Sequence, residues 1–225
     1  MAGKPDTEFA EKRKRLVDAL AEERVVRSDA VRKAMLKVPR EDFVPAEHRK
    51  AAYDDTPLPI PAEATISAPH MHAMYLEAAG LKPGQDVLEV GFGSGILLAY
   101  AKELVGAKGS VTGVEISPDV YIFGKRNLER AGYDKKVRLM SGDVTNGALA
   151  KEKFDRIFVS ATAPEVPKPL TPMLKTGGIL IAPVGDAYGN QELVLVMKDK
   201  AGKLLMKSLG PVAFVPLRGQ YGSRG

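Results

Sequence analysis

Val87-Leu88-Glu89-Val90-Gly91-Phe92-Gly93-Ser94-Gly95 joins a short apolar run to glycines at alternate positions. The apolar run suits a buried strand, and the residues after the glycines, Ile96-Leu97-Leu98-Ala99-Tyr100, suit a helix. A strand-to-helix junction is predicted. Gly91, Gly93 and Gly95 let the backbone turn sharply and let a ligand come nearer than any Cβ would allow, with the amides of the next helix facing it. A dinucleotide fingerprint would need glycine where Ile96 stands, and a phosphate-binding P-loop would need Gly-Lys-Ser/Thr, so neither motif is present. The pattern is acidic-x-G-x-G-x-G.

Working outward, short apolar runs alternate with amphipathic stretches, the signature of a parallel sheet with crossover helices. Strands are predicted over 86–90, 110–115, 137–140 and 156–159, and helices over 95–105, 118–131 and 169–174. Beyond these, 178–183, 192–198 and 204–215 read as strands with turns too short for crossover helices. The fold class is therefore α/β: a doubly wound, mostly parallel sheet ending in a C-terminal antiparallel hairpin.

Upstream, 7–26 places Phe9, Leu16 and Leu20 on one side of a highly charged helix. Ser28 or Asp29 caps a second helix over 31–38, which Pro39 ends. Thr56-Pro57-Leu58-Pro59-Ile60-Pro61 reads as an ordered loop on the core, and 68–79 as a helix with Pro69 in its first turn and Gly80 at its end. One domain over 1–225 is expected: an N-terminal helical extension and substrate-side loop (1–80), a cofactor-binding core (81–185) and C-terminal strands (186–225).

Composition narrows the chemistry. With no cysteine there is no disulfide, thiolate metal site or thiol nucleophile, and His48, His70 and His72 are too few for a structural zinc site. No apolar run is long enough to span a membrane and no signal peptide is read, so a cytoplasmic protein is expected. The net charge of +5 sits at the ends: residues 198–225 hold 6 basic groups and 1 acidic, while 51–197 hold 14 and 17. We read those ends as a solvated rim and not as a nucleic-acid surface.

Glu115 ends the strand after the glycine loop, and Asp143, in Ser141-Gly142-Asp143, comes after the next. A carboxylate at the first position can accept from both ribose hydroxyls, and one at the second can meet the exocyclic amine of adenine. Alone, each feature has a plainer reading: a glycine turn, a solvated glutamate, a capping aspartate. Together they occupy the carboxyl ends of consecutive strands, where open α/β sheets bind ligands.

Nearly the whole chain, from Ala34-Met35-Leu36-Lys37-Val38-Pro39-Arg40 to Arg218, resembles class I S-adenosylmethionine-dependent methyltransferases, and among them the protein-L-isoaspartate O-methyltransferases. The match rests on Ala64-Thr65-Ile66-Ser67-Ala68-Pro69-His70-Met71-His72, the glycine loop, Ser160-Ala161-Thr162-Ala163-Pro164-Glu165-Val166-Pro167, Leu174-Lys175-Thr176-Gly177-Gly178 and Gly210-Pro211-Val212-Ala213-Phe214-Val215-Pro216-Leu217. The resemblance implies methyl transfer to the side-chain carboxylate of L-isoaspartyl residues in damaged proteins, leaving a methyl ester and S-adenosylhomocysteine. It implies no metal. Isoaspartyl peptides and proteins would be the partners, with no membrane or nucleic acid, and the enzyme would be a monomer.

The resemblance also assigns residues. Ser67 matches the active-site serine; capping of the helix after it is its plainer role. Thr65, Ile66, His72, Glu89, Gly91, Gly93, Gly95, Glu115, Ile116, Gly142 and Asp143 would bind the cofactor, and Ser67, Ala68, His70, Val215, Pro216, Leu217 and Arg218 the substrate. For His70 and His72 a packed, hydrogen-bonded histidine stays an alternative, as does an edge strand for 215–218. Glu63 before Ala64, Phe92 and Val144 depart from residues common in the family.

Overall fold

The computed structural model describes residues 7–222; residues 1–6 and 223–225, the outermost part of the basic ends, lie outside the described residues. The amphipathic N-terminal stretch forms α1 (Thr7–Glu22), which buries Val17 and Leu20. Phe9 and Leu16 pack against the same core. In α2 (Asp29–Lys37) the capping residue is Ser28, whose hydroxyl accepts the Val31 amide at 3.3 Å. A short 3-10 turn, Arg40–Asp42, comes next.

The proline-rich stretch is not a loop throughout. Leu58–Ile60 (β1) pairs antiparallel with Ala64–Ile66 (β2) in a two-stranded ribbon. Pro59 is exposed between buried Leu58 and Ile60, and each strand of such a ribbon has an open edge where a residue without an N–H costs no ladder bond. The ribbon leads into α3 (Pro69–Ala79), which ends at left-handed Gly80 with φ 56°.

The core alternates as the periodicity predicts: β3 (Asp86–Val90), α4 (Ile96–Val105), β4 (Ser110–Glu115), α5 (Pro118–Arg130), β5 (Arg138–Ser141) and β6 (Phe154–Val159). The predicted helix near 169–174 shrinks to α6 (Leu170–Met173), because β7 (Leu174–Gly185) begins sooner than predicted. The long β7, β8 (Gln191–Lys198) and β9 (Leu204–Val212) complete one sheet of order β5-β4-β3-β6-β7-β8-β9. Strands β5 to β7 run parallel, and β7, β8 and β9 pair antiparallel. Residues 213–215, predicted as the end of the last strand, lie beyond β9.

The order reverses at β3, which has β4 on one side and β6 on the other. That reversal opens a crevice at the carboxyl ends of the strands, where the glycine loop emerges. Among the described residues no helix is long and apolar enough to cross a membrane.

Candidate active site

Two small hollows and a larger open cleft meet along the carboxyl edge of the sheet. Gly91 lines all three. It sits at φ 75°, and a Cβ there would find nothing within 4 Å, so the missing side chain leaves space open at the junction. Gly93, at φ 55°, lies under Ile60 of the ribbon. Gly95 serves packing instead: a Cβ would come 2.9 Å from Leu128 on α5. The loop is also tied to α5 by Asn127, whose amide donates to the Ser94 carbonyl at 3.1 Å.

Glu89 stands at the floor of the first hollow, 2% exposed. Its Oε1 accepts from Ser160 Oγ at 2.8 Å, while Oε2 is buried with no partner. Burial pushes this carboxyl well above the ordinary glutamate range, the charge of Glu115 adds to that, and the Ser160 hydrogen bond opposes it. An orphaned buried oxygen calls for a cation or a donor.

Glu115 is not solvated: it is 6% exposed, with Oε2 accepting the Gly93 amide at 3.1 Å and Oε1 the Ser117 amide at 3.0 Å. Each oxygen keeps a lone pair for a ligand hydroxyl. Asp143 does cap, its Oδ1 accepting from the Thr145 amide at 2.8 Å and hydroxyl at 2.6 Å. Its Oδ2 takes the Gln220 amide at 3.3 Å. Burial raises its pKa, but these hydrogen bonds outweigh burial and hold the carboxyl below the usual aspartate value. Gly142, Asp143, Ile116 and Val144 line the second hollow together with Leu217 and Arg218.

Thr65, Ile66, Ser67 and His72 line the first hollow with Glu89. The α3 cap is Ala68, with no side-chain capping bond. Asp55, far off in sequence, accepts the His70 amide at 2.9 Å instead, which leaves the Ser67 hydroxyl free of that task. His72 is 7% exposed; burial first, then the charges of Arg40 and His70, push its pKa well down, so the ring is neutral. His70 pairs with Asp55 at 3.0 Å, and neither it nor buried Ala68 is on the walls of these three spaces.

The segment 215–218 is joined to the sheet edge. The Thr162 amide donates to the Val215 carbonyl at 2.9 Å, and the Leu217 amide to the Thr162 carbonyl at 2.7 Å. Val215, Pro216, Leu217 and Arg218 line the cleft together with Ala62 and Glu63. Arg218 Nη2 donates to the Ala62 carbonyl at 2.9 Å. Phe92 is 3% exposed, its ring 5.8 Å from that of Tyr121. Ser160 and Arg40 escape a reading of the site from sequence; their only signal there is that each belongs to a stretch shared with the family.

The family model for protein-L-isoaspartate(D-aspartate) O-methyltransferase matches residues 11–222. The chain belongs to this family. A protein-L-isoaspartate O-methyltransferase of Pyrococcus horikoshii is 50% identical over 219 residues, covering 97% of this chain and 98% of the relative. That of Hyperthermus butylicus is 48% identical over 223 residues, covering 96% and 92%. A Plasmodium falciparum structure assigned to the same activity, in complex with S-adenosyl-L-homocysteine, superposes with a TM-score of 0.81 at 31% identity, covering 90% of this chain and 96% of that one. The doubly wound α/β fold expected from the alternation of strands and helices, and the methyltransferase form of it that the resemblance implies, are thereby established.

Proposed function

We propose that Ser67 orients the acceptor carboxylate in the space beside Glu89, and that the residues from His72 and Glu89 through Gly91 to Asp143 hold the methyl donor. The enzyme is an S-adenosylmethionine-dependent repair methyltransferase acting on isoaspartyl residues. The unpartnered Oε2 of Glu89 carries the assignment, because a methionine-like end with a cationic group answers an acceptor that the protein itself leaves without a donor.

The residues present fit the cofactor. Glu115 has lone pairs for a ribose, Asp143 stands at the hollow lined by Ile116 and Gly142, and Gly91 supplies the open approach between them. Thr65, Ile66 and Gly93 wall the same route, and Gly95 sets the loop against α5. When bound, S-adenosylmethionine supplies an activated methyl group on a sulfonium.

The acceptor carboxylate is ionised at neutral pH, so no strong base is needed. The chain's task is to align groups about 3 Å apart and keep water out, a contribution of up to about 7–11 kcal/mol. The Ser67 hydroxyl can donate to one carboxylate oxygen and hold the other free. We assign Val215, Pro216, Leu217 and Arg218 to the peptide around the isoaspartate, with Ala68 and His70 supporting Ser67 from the start of α3. We also read the chain as a single domain working as a cytoplasmic monomer, which sedimentation at the mass of one chain would support.

The test is transfer of labelled methyl from S-adenosylmethionine to an isoaspartyl peptide and its aspartyl twin. Base-labile label on the isoaspartyl peptide alone, with kcat at least about tenfold lower in Ser67→Ala and cofactor affinity unchanged, is expected from loss of a charge-assisted hydrogen bond. A Ser67→Ala enzyme with full kcat overturns the serine's role.

A further inference from the structure

Arg40 is 1% exposed, and among the described residues no carboxylate forms an ion pair with it. Its guanidinium is spent on neutral acceptors: Nε donates to the Ala52 carbonyl at 2.7 Å, Nη2 to the Ser67 carbonyl at 2.9 Å, and Nη1 lies 3.5 Å from His72 Nδ1. A buried cation without a counter-ion is costly, and burial pulls even this guanidinium down to about 10. Such a group is an expensive way to join a turn to a helix if joining is all it does. An apolar side chain of the same volume would fill the space without that cost.

Its contacts are selective. Ser67 and His72 both line the first hollow, beside Thr65, Ile66, Met71 and Tyr75 of the same β2–α3 stretch, while Arg40 itself lines none of the three spaces. The guanidinium has donors only, so the contact with Nδ1 requires a bare nitrogen there and leaves the His72 proton on Nε2. One planar fork therefore sets the peptide plane at Ser67 and the ring of His72 together.

We infer that Arg40 is a positioning residue for methyl transfer, holding Ser67 and His72 in register from behind the site. This rests on Ser67 orienting the acceptor carboxylate. Arg40 acts on the acceptor side through the Ser67 backbone and reaches the cofactor side only through the His72 ring, so its loss should lower kcat far more than it weakens cofactor binding. Lysine keeps the charge but lacks the fork that reaches three acceptors at once.

The experiment is a double-mutant cycle with Arg40→Lys, Ser67→Ala and both, reading kcat on the isoaspartyl peptide, cofactor affinity by calorimetry and the imidazole nitrogens by NMR. Expected are a loss of kcat of about tenfold to a hundredfold in Arg40→Lys, from one charged hydrogen bond, and a cofactor Kd within about threefold. The double variant should be no slower than Ser67→Ala alone, and the His72 nitrogen signals should move away from the Nε2–H pattern. Wild-type kcat in Arg40→Lys, with Ser67→Ala impaired, overturns the inference and leaves the serine's role standing. Losses that multiply in the double variant overturn it as well. Full activity in Ser67→Ala overturns the serine's role and this inference with it. Should Arg40→Lys not fold, Arg40→Met replaces it in the same cycle, and failure of both to fold would assign the contact to folding and overturn the positioning role.

Discussion

Glu89, in the inner strand β3, and Asp143, just after the outer strand β5, lie along the same edge of the sheet and respond to pH with opposite sign. Glu89 is pushed up chiefly by burial, so the folded protein holds its proton more tightly than the unfolded chain does. That stabilisation is complete below the ordinary glutamate range and is lost as pH rises through the elevated value. The melting midpoint of the free enzyme, measured against Glu89→Gln, should therefore fall as pH climbs through that window, and parallel curves would count against the assignment. Asp143 is held down by Thr145 and Gln220 against burial, so its contribution is present above the ordinary aspartate range and drains away only as pH drops below it. Asp143 was legible in the sequence as one of two strand-end acids, with Glu115, and Glu89 as the acid that opens the glycine pattern. The orphaned Oε2 was not, since it depends on Ser160, a residue 71 positions away.

Among the elements, α5 does the most to shape the cofactor loop. Gly124 lies against it: a Cβ there would overlap the Gly93 carbonyl and come 2.7 Å from the Phe92 ring. Gly124→Ala should thus cost about 1–3 kcal/mol through overpacking and weaken cofactor binding, because the loop has to shift before the helix can accept a methyl group. Denaturant unfolding reads the first effect and calorimetry the second; unchanged affinity would show that the loop is set elsewhere. The helix was visible in the sequence through its apolar spacing, but its intimate contact with the loop was not. The ribbon of β1 and β2 went unseen as strand because each arm spans only three residues and one carries Pro59.

Across the whole molecule, the site depends on chain segments that meet only after folding. Gln191, 5% exposed, accepts the Phe214 amide at 2.7 Å and donates to the carbonyls of Phe214 and Asp186 at 3.1 and 3.0 Å. It therefore joins the β7–β8 turn, where Tyr188 is 93% exposed on the cleft wall, to the segment that carries Val215 to Arg218. Gln191→Ala should raise the KM for the isoaspartyl peptide several-fold, with cofactor affinity little changed, and cost about 1–3 kcal/mol from buried groups left without partners. Steady-state kinetics with each substrate varied in turn checks this, and an equal rise in both KM values would contradict it.

The amino-acid sequence by itself determined the alternation of strand and helix, the glycine junction, the acids that end β4 and come after β5, and the antiparallel finish. Each of these is written within about ten residues, where periodicity and turn chemistry act directly on the backbone. Only the tertiary structure decided who partners whom: Asp55 on the His70 amide at the start of α3, Ser160 on Glu89, Arg40 behind Ser67, and Arg218 on Ala62 across 156 positions of sequence. Those pairings arise from which buried donors and acceptors close packing leaves facing one another, a condition the chain meets only once every layer is in place.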